Sequence, residues 1–415
     1  MSGDTIKLLA FYLPQFHPIP ENDRWWGKGF TEWTNVTKAL PLFEGHYQPH
    51  LPSDLGFYDL RLRESRQEQI KYAKKYGIYG FCYHYYWFSG KKILNKPLDD
   101  MMVDNESDMP FCLCWANENW TRRWDGAEHK VLIEQKYLPD DDINFIKDAE
   151  NYIKDSRYIR ISGAPILIVY MPQCMPNANK AVKVWRNYCK TNGIGDIHLV
   201  AALTHGNYDY EKYGFDAGVE FPPHNMNVDN INTCINFYKP YYGCVYNYDD
   251  FAQHLLDKRY GPDCNVYRTV CPSWDNTART GSRAVILLDG TPDNYEYWLS
   301  ESISQTKREF PNEERFVFIN AWNEWAEGCH LEPDRRYGLA FLEATERVVN
   351  GNTRIDKFSH TQLAESSRWD ASLVAEIGNL LLRRISRHTG NLKIWVKQRP
   401  RLKRTLHKFI KIINR

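Results

Sequence analysis

Eight apolar, β-branched or aromatic runs punctuate this chain, at residues 7–12, 77–83, 110–115, 165–170, 198–203, 217–221, 265–271 and 315–322. Between them lie stretches with helical periodicity, at 65–76, 142–156, 179–192, 249–259 and 293–309. Runs that stay apolar instead of alternating with polar residues are what strands covered on both faces look like. Strand and helix in alternation predict a parallel sheet, and eight repeats favour closure into a (β/α)₈ barrel over an open doubly wound sheet. No glycine-rich fingerprint follows any run, which argues against a nucleotide-binding open sheet and gives no reason to expect a cofactor.

A barrel collects the carboxyl ends of its strands around one cavity, so the residues there are the candidate ligand contacts. They are polar or aromatic: Tyr12 and Gln15; His84, Tyr85, Tyr86 and Trp87; Trp115, Asn117, Glu118 and Asn119; Tyr170; Thr204 and His205; Glu220; Trp274, Asp275 and Asn276. Aromatic faces stack on the C–H faces of sugar rings, and amides, acids and imidazoles bind hydroxyls. The competing reading for each Tyr or Trp is a core cap whose polar tip reaches solvent.

The last run, Phe316-Val317-Phe318-Ile319, leads into Asn320-Ala321-Trp322-Asn323-Glu324-Trp325-Ala326-Glu327-Gly328. Breaking a glycosidic bond requires one carboxylic acid to protonate the leaving oxygen and a second carboxylate to act on the opposite side. Glu324 and Glu327 fit that need, since a helical turn puts positions i and i+3 on one face with β-carbons roughly 5–6 Å apart. Burial and mutual repulsion then raise the pKa of one of them, with Trp322 and Trp325 expected as apolar walls. The plainer reading is a helix opening on two acids favoured by the helix dipole.

The ten cysteines include no Cys-x-x-Cys pair, and Cys112 and Cys114 share a strand face; all ten read as reduced thiols of a cytosolic protein. No metal site is expected. His46 and His50 are four apart, but Pro49 interrupts any helix between them, so a surface loop is the expectation. No stretch approaches 18 apolar residues, the N-terminus has no signal-peptide pattern, and hydrophobic residues make up 43% of the chain, enough for a large core.

The residues resemble a known family. Phe11-Tyr12-Leu13-Pro14-Gln15-Phe16-His17-Pro18, Trp25-Trp26-Gly27-Lys28-Gly29-Phe30-Thr31-Glu32-Trp33-Thr34-Asn35, Gly80-Phe81-Cys82-Tyr83-His84-Tyr85-Tyr86-Trp87-Phe88, Trp115-Ala116-Asn117-Glu118-Asn119-Trp120 and the Asn320–Gly328 segment with Leu331-Glu332-Pro333 are similar to the WbsX family. The resemblance spans residues 6–350 and implies a glycosyltransferase of surface polysaccharide (O-antigen, capsule) assembly, with a fold similar to the family 99 glycoside hydrolases, the endo-α-mannosidases. Their Glu-Trp-x-Glu motif matches Glu324-Trp325-Ala326-Glu327. By that resemblance Glu324 is the base that draws a proton from the sugar 2-hydroxyl, giving an epoxide-like intermediate, and Glu327 the acid and base at the glycosidic oxygen; Asn323 joins the substrate contacts. Asp140-Asp141-Asp142 reads as a helix start rather than a nucleotide-sugar site.

Charge divides the chain. Twelve Lys and Arg and no Asp or Glu fall in 377–415, leaving 41 basic and 52 acidic residues in 1–376, a net of −11. Within the tail Leu402, Leu406, Phe409, Ile410 and Ile413 form a helical apolar stripe flanked by cations, a pattern suited to an anionic bilayer surface. The competing readings are a helix docked on the acidic barrel and a nucleic-acid tail. The expected organisation is a glycan-active barrel (1–350), a helical extension (351–390) and a basic amphipathic tail (391–415). The expected partners are a glycan or glycolipid substrate and, through 391–415, the inner face of an anionic membrane, with no nucleic acid. Competing functions are a non-catalytic glycan-binding barrel and a metal-dependent polysaccharide deacetylase; the latter needs a His/Asp cluster that the sequence does not assemble.

Overall fold

The computed structural model describes residues 6–122, 127–260 and 264–359. The expectations for a helical extension and a basic amphipathic tail lie, from residue 360 onward, outside the described residues.

All eight apolar runs are strands: β1 Lys7–Tyr12, β2 Ile78–Phe88, β3 Phe111–Trp115, β4 Ala164–Val169, β5 His198–Leu203, β6 Ala217–Glu220, β7 Val266–Val270 and β8 Phe316–Ile319. Each pairs in parallel with the next, and β1 pairs with both β2 and β8, so the sheet closes. Closure removes the edges that an open sheet leaves unpaired. The fold is a (β/α)₈ barrel.

Helices α1 Arg63–Lys75, α2 Lys96–Val103, α3 Asp141–Ile153, α4 Ala178–Thr191, α5 Tyr248–Asp257, α6 Pro292–Glu309 and α7 Ala340–Val349 surround it. Five of them coincide with the periodic stretches. The β5–β6 connection carries only a 3₁₀ turn, Glu211–Tyr213. Local chemistry sets the helix starts: the Asn177 side chain accepts from the Lys180 N–H at α4, and Thr291 accepts from Asn294 at α6, whose first residue is proline.

Every β3 residue is buried, as are the last five of β1, which explains why their sequences show no polar face. Their side chains nevertheless alternate. Phe11 packs inside the barrel against His84, Phe221 and Phe318, while Tyr12 turns outward and its hydroxyl donates to Gln69 of α1 at 2.7 Å. Register carries this phase round the sheet, with Phe11 opposite Cys82, His84 opposite Cys114 and Tyr85 opposite Trp115. Gly80 marks a close approach within the barrel, since a β-carbon there would lie 2.7 Å from the Pro110 carbonyl oxygen. All ten cysteines are free, and no helix among the described residues is long and apolar enough to cross a membrane.

Candidate active site

At the carboxyl end of the barrel lies a cavity of ≈ 280 Å³. After β8 the chain makes a short antiparallel hairpin, with Asn323–Glu324 paired to Cys329–His330 and the 3₁₀ turn Trp325–Glu327 at its tip. The turn, not an α-helix, brings Glu324 and Glu327 to the same cavity. Gly328 closes it with φ 58, and a β-carbon there would lie 2.9 Å from the Asp275 carbonyl oxygen, so the hairpin is pressed against the loop after β7.

That loop supplies the counter-charge. A four-residue helix, Thr277–Thr280, presents Arg279. Its guanidinium donates to Glu324 Oε2 at 2.9 Å, to Glu327 Oε1 at 2.5 Å and to the fully buried Glu32 Oε1 at 2.9 Å. Three acids thus share one cation. Burial pushes the Glu324 and Glu327 carboxyls well above the usual carboxylate range; Arg279 opposes that rise and the neighbouring acids reinforce it. The pair holds a proton near neutral pH, the state in which one member donates and the other accepts. His84 Nε2 stands 3.8 Å from Glu324 Oε1.

Of the residues singled out from sequence, Gln15, His84, Tyr86, Glu118, Asn119, Tyr170, Trp274 and Asn276 line the cavity together with Glu324 and Glu327. Others point elsewhere because of strand phase. Tyr12, Tyr85, Trp87 and Trp115 face the helix layer, where Trp87 Nε1 donates to Asp148 at 2.6 Å and Trp115 stacks on Phe145 with centroids 4.2 Å apart. Glu220 is likewise outside the cavity, buried against Arg268 at 3.2 Å and Tyr260 at 2.9 Å. Asn117 and Asn323 are spent on the backbone: Asn117 bridges to Met171, and Asn323 exchanges two hydrogen bonds with Leu13 at 2.7 and 3.0 Å. His205 is exposed beside His224, 4.3 Å between ring centroids, outside the cavity lining. Trp322 and Trp325 form no wall; Trp325 stacks on His330 and donates to Glu332 at 2.6 Å. The walls are Trp26, Tyr86, Trp120, Tyr170, Phe221 and Trp274.

Sequence reasoning missed Arg279 and Glu32. The signal was present in Glu32, which sits inside the aromatic Phe30–Asn35 motif. It also missed His224, whose Nε2 lies 2.8 Å from the Tyr170 hydroxyl. His46 and His50 are not on a surface loop: both are buried, with His46 Nε2 2.6 Å from Asp275 Oδ2 and His50 Nδ1 3.1 Å from His330 Nε2.

Comparison with solved structures places this architecture beside a glycoside hydrolase-like protein (TM-score 0.53, 14% identity, covering 83% of this chain and 94% of that one). It is also similar to the GH99 endo-alpha-mannosidase from Bacteroides thetaiotaomicron (TM-score 0.50, 13% identity, covering 85% and 98%). At these identities the likeness is one of fold. Two curated relatives described as uncharacterized protein WxcX, from Xanthomonas campestris pv. campestris strains B100 and ATCC 33913, are each 46% identical over 343 residues. That alignment takes in 82% of this chain and 49% of each relative, so the chain spans about half their length. The family model described as Glycosyltransferase WbsX matches residues 8–345, and the chain belongs to that family.

Proposed function

We propose that this protein is a carbohydrate-active enzyme that makes or cleaves glycosidic bonds in cell-surface polysaccharide assembly, using Glu324 and Glu327. The observation that carries this reading is the arrangement of the two carboxylates, both facing one aromatic-walled cavity and both tied to Arg279. Paired acids with one proton between them match glycosyl chemistry, and walls of Trp and Tyr match the apolar faces of sugar rings.

In the first step Glu324 takes the proton of the sugar 2-hydroxyl as that oxygen attacks the anomeric carbon. The bond to the leaving oxygen breaks, and Glu327 gives its proton to that oxygen. In the second step an acceptor hydroxyl loses its proton to Glu327 and attacks the anomeric carbon. The epoxide opens and the 2-oxygen recovers its proton from Glu324. Two inversions leave the configuration retained, and the same sequence serves water or a second sugar as acceptor. The endo-α-mannosidase likeness makes α-mannosyl linkages the first substrates to try. Arg279 holds both carboxylates in place and lowers the cost of ionising either.

The test is direct. Purified protein is incubated with α-mannooligosaccharides, with and without an acceptor glycan, and anomeric proton NMR follows release or transfer. Turnover with retention, absent in Glu324→Gln and Glu327→Gln, is the expected result. Unimpaired turnover in either variant would overturn the assignment.

A further inference from the structure

Beneath the catalytic hairpin, and outside the cavity lining, three buried residues converge: His50, His330 and Asp334. One donor atom from each lies within 4.8 Å of the others. The two imidazoles approach through His50 Nδ1 and His330 Nε2 at 3.1 Å, close to the separation of about 3.3 Å between two ligands of a tetrahedral ion with metal–nitrogen bonds near 2.0–2.1 Å.

The surroundings have the form of an outer ligand shell. His330 Nδ1 lies 2.9 Å from the Glu332 carbonyl oxygen; a backbone carbonyl only accepts, so this nitrogen carries the proton and Nε2 keeps its lone pair. Asp334 Oδ1 accepts the backbone N–H groups of Arg336 at 3.0 Å and Tyr337 at 2.6 Å, while Oδ2 accepts the Tyr47 hydroxyl at 3.0 Å. Oriented carboxylate and tautomer-fixed imidazole are what second-shell bonds produce around a metal. Two imidazoles and a carboxylate suit zinc, cobalt, iron or manganese more than calcium or magnesium, which take oxygen ligands.

We infer that His50, His330 and Asp334 form a binding site for a divalent transition metal, and that its role is to clasp the catalytic hairpin. Occupancy moves the His50 proton from Nδ1 to Nε2, freeing Nδ1 as a ligand. The metal then joins three points: the segment carrying Tyr47 and His50, the hairpin strand in which His330 pairs with Asn323, and the turn at Asp334. His330 also stacks on Trp325 at 3.7 Å, between Glu324 and Glu327 in sequence, so the clasp bears on the backbone that aims both acids. None of the three residues lines the cavity, so the role assigned to the ion is to brace the hairpin and not to act on the glycan.

Chelator-treated full-length protein titrated with Co²⁺ tests this independently of any glycan activity. One equivalent should bind with visible ligand-field absorption lacking a thiolate charge-transfer band, be displaced by Zn²⁺, and raise the thermal midpoint. His50→Gln keeps a donor toward His330, so it should fold with an unaltered circular dichroism spectrum while binding cobalt at least tenfold more weakly. Absence of cobalt absorption in the wild type, an equal signal in His50→Gln, or a thiolate band placing the ion on cysteine would each overturn the site.

Discussion

Glu324 and Glu327 share a single counter-ion: Arg279 reaches Oε2 of the first at 2.9 Å and Oε1 of the second at 2.5 Å. A 3₁₀ turn sets the two acids side by side, and a residue from a different barrel loop holds them there. That relationship governs the pH behaviour and mutational sensitivity expected of the site.

Replacing either acid by its amide should leave the fold and glycan binding intact while lowering kcat by roughly 10²–10⁴, the usual range for a positioned acid or base. Single-turnover kinetics and glycan binding by calorimetry, measured on both variants, separate loss of chemistry from loss of affinity.

Because burial raises both carboxyls and they titrate as a pair, kcat/KM should be bell-shaped in pH with its maximum near neutrality. Acidification fills the base with a second proton, and alkali strips the acid of the shared one. A profile that rises monotonically with pH would count against the assignment.

Arg279→Met leaves three acids without their common cation, which should destabilise the protein by about 3–5 kcal/mol, as breaking buried pairs does. The loss should be larger at pH 8 than at pH 5. Without the guanidinium Glu324 and Glu327, already raised by burial, hold protons to higher pH, so the variant's folded state binds more protons than its unfolded state, and its stability falls as pH rises. Urea unfolding at the two pH values measures this.

Glu332, fully enclosed by Tyr58, Gln69 and Trp325, is pushed by burial to about 7 from 4.5. Its folded pKa exceeds its unfolded value, so this group's contribution to stability declines as pH climbs between those two values. Glu332→Gln should flatten the pH dependence of unfolding there by up to one proton, about 1.4 kcal/mol per pH unit, whatever it costs in hydrogen bonds.

Outward and inward aromatics should separate cleanly. Trp115→Phe loses the bond from Nε1 to the Trp87 carbonyl, which should cost about 1–3 kcal/mol in stability with KM unchanged. Trp274→Phe, in the cavity wall, should raise KM with little change in thermal midpoint. Paired thermal melts and steady-state kinetics distinguish the two.

The chain itself determined the alternation of strand and helix, the closure that eight repeats favour, and the segment that carries Glu324 and Glu327 to the cavity, because these are written in local periodicity and a contiguous motif. Tertiary structure decided which neighbours of those acids face the cavity. Strands buried on both faces carry no polar stripe, so nothing local distinguishes His84, which lines the cavity, from Tyr85, which packs on the helix layer. The ion cluster was hidden for another reason: Glu32 and Arg279 lie 247 residues apart. His50 and His330 lie 280 apart, and only the closed barrel brings either pair together, since attraction between side chains acts through space and not along the sequence.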